Sequence, residues 1–421
     1  MPYKKTILKN GVRLLTVPMK GNQTVTVMIM TEVGSRYEDE KQNGLSHFLE
    51  HMCFKGTENR TSTQISTELD GIGAHFNAFT FSSGTAYYAK THHSHLEKTL
   101  DILSDMYLHS NFPEEELNKE RGVIIEEINM YEDLPQRKVQ EVFDRVMFGN
   151  HPLGRPTIGP KENIKNFTRQ DFLDYRKKYY NGKATIVVVA GNFDQKKIKK
   201  QVEKHLAKLE SGKLWKPAPA PKKLPAPAMV AMPKKTDQSH LVLGFKTFGV
   251  KSPKRKIMRV LSCILGGGMS SRLFTKMREQ LGICYYIRSG AEYFSDTGNL
   301  TISSGVGNGR LKEAVQGILD EIKKLRDEKV SPAELDKAKQ MIASSIAMGM
   351  ETSEQNAEFY VEQELYHEDI ITPDKATKET NSVTAEQIQK LAKEIFKTDN
   401  IYFAVIGPNE DEEGVKKLLI L

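Results

Sequence analysis

Cysteine is scarce in this chain. Cys53, Cys263 and Cys284 are the only three in 421 residues, odd in number and set in apolar stretches. That excludes a disulfide framework and reads as reduced core thiols, which points to the cytoplasm. No apolar run approaches the length of a membrane span, so no membrane partner is expected. The net charge of +7 is spread along the chain. Without a concentrated basic stripe interleaved with aromatics, nucleic-acid binding is not expected either. The N-terminal stretch shows two short strand-like runs about Asn10-Gly11, a hairpin signal rather than a signal peptide. Gly266-Gly267-Gly268 has no lysine at the P-loop position and belongs to no GxGxxG motif after a strand, so it reads as a helix terminus or flexible segment. His92, His93 and His95 lack a carboxylate or cysteine at ligand spacing and read as a solvated stretch opening a helix near Ser94.

What is present is a dense polar helix face. Residues 47–51 read His47-Phe48-Leu49-Glu50-His51. On a helix turning about 100° per residue, His51 lies about 40° from His47, and Glu50 about 60° to the other side. Leu45, Phe48, Leu49 and Met52 fall on the opposite face. Two imidazoles and a carboxylate so placed suit zinc and a general base, in the inverse order of the H-E-x-x-H motif. Cys53, about 160° from His51, is not aimed at the same point.

A catalytic zinc takes three protein ligands plus a water. With Glu50 kept as base, the third ligand must come from elsewhere. The stretch from Pro113 to Asp133 reads as a helix, with Asn111 as its cap, Pro113 in its first turn, and Glu114, Glu115 and Glu116 at its positive end. Its apolar stripe is Leu117, Ile124, Ile128 and Tyr131. Glu120 and Glu127 fall inside that stripe and Glu126 outside it. Buried carboxylates are costly unless paired or metal-bound. Glu127 is thus a candidate third ligand and Glu120 a candidate acceptor behind a ligand histidine. The alternative for both is pairing with arginine or lysine.

The two halves of the chain look alike. A proline–alanine-rich stretch, 211–232, separates a first domain at 1–210 from a second at 233–421. Gly191 and Gly407 end similar apolar runs, and the same offset of 216 carries Val25 to Leu241. Each half reads as strands, helices, a strand, a helical hairpin and a closing strand. The expected fold class is therefore α+β, two similar domains from an internal duplication, each a mostly antiparallel sheet covered by helices. The second half carries RVLSCILGGG where the first carries the metal motif, and cannot bind metal there.

The sequence resembles the pitrilysin/insulinase family of zinc peptidases, in its short-subunit branch with the mitochondrial processing peptidase β-subunit and its bacterial relatives. The likeness rests on residues 44–57, 73–80, 120–128, 151–160 and 266–287. It implies one zinc per chain on His47, His51 and Glu127, the last falling 76 residues after the second histidine, with Glu120 matching the family's further glutamate. It implies that Arg278 and Tyr285 match an arginine–tyrosine pair that contacts the substrate backbone near the scissile carbonyl. It also makes the strand holding Asn77 and Ala78 the edge on which an extended substrate adds. Relatives that favour arginine near the cut carry acidic residues where Arg137 stands here, although Glu141 keeps one, so an arginine-directed processing role is not expected. The resemblance further implies a homodimer enclosing a chamber for unfolded peptides. The alternatives are a non-catalytic structural subunit and one active half of a heterodimer.

Overall fold

The computed structural model describes residues 3–222, 226, 228–367, 369–408 and 412–421. Part of the proline–alanine stretch (223–225 and 227) and the residues after the last apolar run (409–411) therefore lie outside the described residues. The chain forms two compact units. One comprises residues 1–128, 156–218 and 347–373, the other 129–155, 219–346 and 374–421.

The first unit holds a six-stranded sheet in the order β1-β2-β6-β3-β5-β4. Its strands are β1 (Lys4–Ile7), β2 (Arg13–Pro18), β3 (Thr24–Thr31), β4 (His75–Thr80), β5 (Thr85–His92) and β6 (Thr185–Gly191). The second unit holds a five-stranded sheet in the order β7-β11-β8-β10-β9. Its strands are β7 (Ala228–Pro233), β8 (Gln238–Thr247), β9 (Cys284–Tyr293), β10 (Gly298–Gly307) and β11 (Ile401–Gly407). Among the helices are α1 (Leu45–Met52), α2 (Leu96–His109), α3 (Glu114–Asp133), α4 (Pro135–Phe148), α5 (Arg255–Gly266) and α6 (Ser353–Leu365).

Mixed α+β structure and two similar sheets are what the sequence patterns predict. All but one pairing in each sheet is antiparallel, the exceptions being β2 with β6 and β7 with β11. β6 and β11 are buried along their whole length, which explains their unbroken apolar runs. The Asn10-Gly11 turn joins β1 to β2, with Gly11 at φ 92°.

Three expectations need correction. The offset of 216 holds for β6 and β11 but not for β3 and β8. Thr185 pairs with Thr31, and its counterpart Ile401 pairs with Phe245, two residues short of the position that offset selects. A two-residue shift keeps every side chain on its own face, so the hydrophobic pattern does not reveal it. Second, the stretch 211–232 is not linker throughout, because Ala228–Pro233 is an edge strand of the second sheet. Third, Asn111 does not cap α3. Phe112 turns away at φ 48°, and the Asn111 amide donates to the Thr57 carbonyl at 3.1 Å.

The units also differ from the sequence halves. α6, from the second half, packs on β3 and β6 and buries Ala357, Tyr360, Val361 and Leu365. α4, from the first half, packs on β8 and β11. Phe143 of α4 rests on Gly244 of β8, where any Cβ would come within 2.4 Å of its ring.

Candidate metal centre

α1 begins at Gly44, which adopts φ 102°, a left-handed conformation that favours glycine. The Glu38 carboxylate, 2% exposed, accepts hydrogen bonds from the backbone N–H of Gly44 (2.9 Å) and of Ser46 (2.6 Å). It thereby satisfies two orphan donors at the positive end of the helix. Leu45, Phe48, Leu49 and Met52 are buried, and the Phe48 ring meets Phe172 edge-on at 4.9 Å. That packing turns His47, Glu50 and His51 together to the other side. α3 contributes Glu127 from the flank of a stripe that buries Leu117, Glu120, Ile124 and Ile128, while Glu126 is exposed.

Both histidine Nε2 atoms face one oxygen. Glu127 Oε2 lies 3.7 Å from His47 Nε2 and 3.8 Å from His51 Nε2, and the imidazole centroids are 4.7 Å apart. These separations are too long for hydrogen bonds. They are slightly wider than the edge of a tetrahedron with bonds of about 2.0–2.1 Å to a shared zinc. Among the described residues this is the one set of three or more His, Cys, Asp or Glu side chains whose ligand atoms converge. His51 Nδ1 lies 2.8 Å from Glu120 Oε1, and Lys55 Nζ 2.7 Å from Glu120 Oε2. Burial opposes charge on Glu120, yet His51 and Lys55 hold its carboxyl below the usual range. An ionised Glu120 only accepts, so the His51 Nδ1–H donates to it, which would leave Nε2 as the ligand atom for a metal. The donor set thus fits zinc.

Glu50 is 8% exposed and stands beside this set. Burial pushes its carboxyl up to about 7, although a 2.5 Å hydrogen bond donated by Thr80 Oγ1 and the charge of His51 oppose the rise. Thr80 belongs to β4, the outermost strand of its sheet, which also carries Asn77 and Ala78. Ala78 lies opposite Tyr87 of β5, but its N–H donates to the neighbouring Asn77 Oδ1 at 2.8 Å.

Arg278 and Tyr285 come together in the second unit. The segment Phe274–Gln280 is a π-helix rather than an ordinary one. Tyr285 sits where the β9–β10 register shifts, since Cys284 pairs with Val306 and Tyr286 with Gly305. This bulge leaves Tyr285 out of the ladder and 74% exposed. Arg278 Nη1 donates to the Tyr285 carbonyl at 3.0 Å, and the guanidinium lies 5.0 Å from the Tyr285 ring centre.

Elsewhere, Arg137 stacks on the Tyr131 ring at 3.4 Å, and Glu141 is held by Lys138 at 2.8 Å. Cys53 is fully buried, its thiol pushed up by desolvation. The His92, His93 and His95 rings neighbour one another without forming a converging donor set. The sequence reading missed Lys55, Thr80 and Glu38. Lys55 stands one helical turn past His51, a spacing that could have marked it. No local signal marks the other two.

A two-unit α+β chain with a His–His–Glu donor set in one unit has the build of a protein that holds zinc in its first unit alone. Residues 13–161 match the family described as Insulinase (Peptidase family M16), and residues 166–342 match the Peptidase M16 inactive domain. An uncharacterized zinc protease of Bacillus subtilis, YmxG, is 35% identical across 96% of this chain and 98% of its own length. Another from Rickettsia felis is 36% identical across 96% and 97%. A protease from Helicobacter pylori has a similar structure, with a TM-score of 0.92 and 25% identity over 97% of this chain and 100% of that one. A chain of complex III from Candida albicans shares the fold, with a TM-score of 0.84 at 19% identity over 99% and 100%. The chain belongs to peptidase family M16.

Proposed function

We propose that this chain is a zinc-dependent endopeptidase acting on unfolded peptides. The observation that carries the reading is the convergence of His47, His51 and Glu127 with the buried Glu50 beside them. His47, His51 and Glu127 would hold one zinc per chain. The bound ion supplies Lewis acidity toward the scissile carbonyl and toward a water. Glu50 takes the proton of the attacking water and delivers it to the leaving amine. Thr80 fixes which Glu50 oxygen is free to do so. A substrate adds as a strand along β4, where Asn77 and Ala78 meet its main chain, which gives affinity with loose side-chain specificity. Arg278 and Tyr285 supply donors for the substrate carbonyls and the developing oxyanion.

This chain carries both the metal-binding residues and the arginine–tyrosine pair, so we assign it as a homodimer whose chamber admits unfolded peptides. The free thiols of Cys53, Cys263 and Cys284 suit a cytoplasmic location. No described helix is long and apolar enough to cross a membrane.

The test is cleavage of a mixed library of unfolded peptides by the zinc-loaded chain beside Glu50→Gln. The reading expects chelator-sensitive cleavage that Glu50→Gln loses while retaining zinc. No cleavage by a zinc-bound dimer would favour a structural subunit, and cleavage only after a second protein is added would favour a heterodimer.

A further inference from the structure

Lys55 belongs to none of the roles assigned above, yet it ends a continuous line of contacts into the donor set. Its Nζ lies 2.7 Å from Glu120 Oε2, and Glu120 Oε1 lies 2.8 Å from His51 Nδ1. The other nitrogen of that imidazole faces Glu127. The Glu120 side chain is 6% exposed and the Lys55 side chain 28%, so the ion pair is screened from solvent on the carboxylate side. Lys55 is held close by the chain itself, its N–H donating to the Met52 carbonyl at 3.1 Å just past the end of α1.

Two consequences follow from this placement. The first is charge. The Glu120 carboxylate, held ionised below the usual range, sits beside Glu50 and Glu127, and the Lys55 ammonium is the cation that offsets it. An uncompensated charge in so buried a setting is costly. The second is orientation. With one Glu120 oxygen held by Lys55, the other is fixed toward His51, and the imidazole is held in the tautomer that leaves Nε2 free.

We infer that Lys55 is a positioning residue for the metal centre, acting through Glu120 on His51 to set metal affinity. The inference rests on the zinc reading proposed above. It predicts that affinity falls when the ammonium is removed and returns when a cation is restored.

The experiment measures zinc dissociation constants of the full chain by competition with a chromogenic chelator. The proteins are wild type, Lys55→Met, Lys55→Arg, Glu120→Gln and the Lys55→Met/Glu120→Gln double variant. Thermal unfolding of the zinc-free forms identifies any variant that fails to fold, and Lys55→Gln then replaces Lys55→Met. Lys55→Met should weaken zinc about tenfold, at the low end of the range for groups behind metal ligands. Lys55→Arg should recover most of that loss. The double variant should bind no more weakly than Glu120→Gln alone, because the lysine acts through that carboxylate. Wild-type affinity in Lys55→Met, or losses that add in the double variant, would overturn the inference while leaving the zinc reading intact. A wild-type chain with no zinc affinity would overturn both.

Discussion

The two units share a five-strand plan, to which β1 adds a sixth strand in the first, and the helix after the second shared strand differs most between them. In the first, α1 follows β3 and turns His47, Glu50 and His51 away from its buried face. In the second, α5 follows β8 and buries Met258, Val260, Leu261, Ser262, Ile264 and Leu265. α5 also ends in close contact with β9: a Cβ on Gly266 would come within 2.5 Å of the Ser289 backbone nitrogen. A helix seated that tightly has no room for ligands and a water. The outer strands diverge in parallel. β4 is regular and holds Thr80 against Glu50, whereas β9 is bulged at Tyr285 and braced by a π-helix. On one strand plan, the first unit carries a His–His–Glu donor set and the second an exposed arginine–tyrosine pair.

The sharpest way to break this contrast is Glu50→Gln. If the first unit does the proton transfer, cleavage falls about a thousandfold, within the range for a lost general base. Zinc stays bound, as total-metal analysis of the same sample would report. Residual cleavage near the wild-type rate would remove Glu50 from the chemistry.

Next in size is a stability effect confined to the first unit. Asp105 accepts from Thr57, Asn59 and Arg60, tying the loop after α1 to α2. Burial disfavours its charge, but Asn59, Arg60 and Thr57 more than offset this and hold the carboxyl below the usual range. A depressed carboxyl contributes stability above its unfolded pKa of about 3.9 and loses it as pH falls through the lower folded value. Asp105→Asn should therefore cost about 3 kcal/mol at pH 7, as for a broken buried ion pair. That cost should shrink as the pH drops below about 4. Urea titrations at pH 7 and pH 3 would show it, and an equal cost at both would refute it.

The second unit is tested by Tyr285→Phe and Arg278→Lys. Each should lower kcat/KM about a hundredfold, as for a lost oxyanion donor, with zinc affinity unchanged. A change in zinc affinity instead would erase the division of labour between the units. The smallest effect is expected from Ala78→Pro. Its N–H donates to the Asn77 side chain on an edge strand, where proline is best tolerated, so the change removes a donor for an added strand. KM should rise about tenfold, in line with the loss of one charge-free main-chain contact, while the melting temperature stays nearly constant.

Much of the first unit's centre was legible in the sequence because α1 and α3 are amphipathic, and periodicity converts directly into faces. Glu127 was separable from Glu126 on that basis, and the structure leaves Glu126 exposed and Glu127 half-buried. What escaped depends on tertiary contacts. The two-residue shift of β8 leaves its hydrophobic alternation unchanged. The exchange of α4 and α6 between the sequence halves is set by which sheet each helix covers. The Tyr285 bulge is defined by a partner strand, and Thr80 reaches Glu50 only once β4 lies beside α1.

The proposed contrast between the units comes down to one metal centre per chain, held by His47, His51 and Glu127. Zinc per chain in the purified protein decides it, measured beside His47→Ala, Glu127→Ala and Cys263→Ser. One zinc is expected in wild type and in Cys263→Ser, and almost none in the other two. Zinc retained at full occupancy in His47→Ala and Glu127→Ala would contradict it.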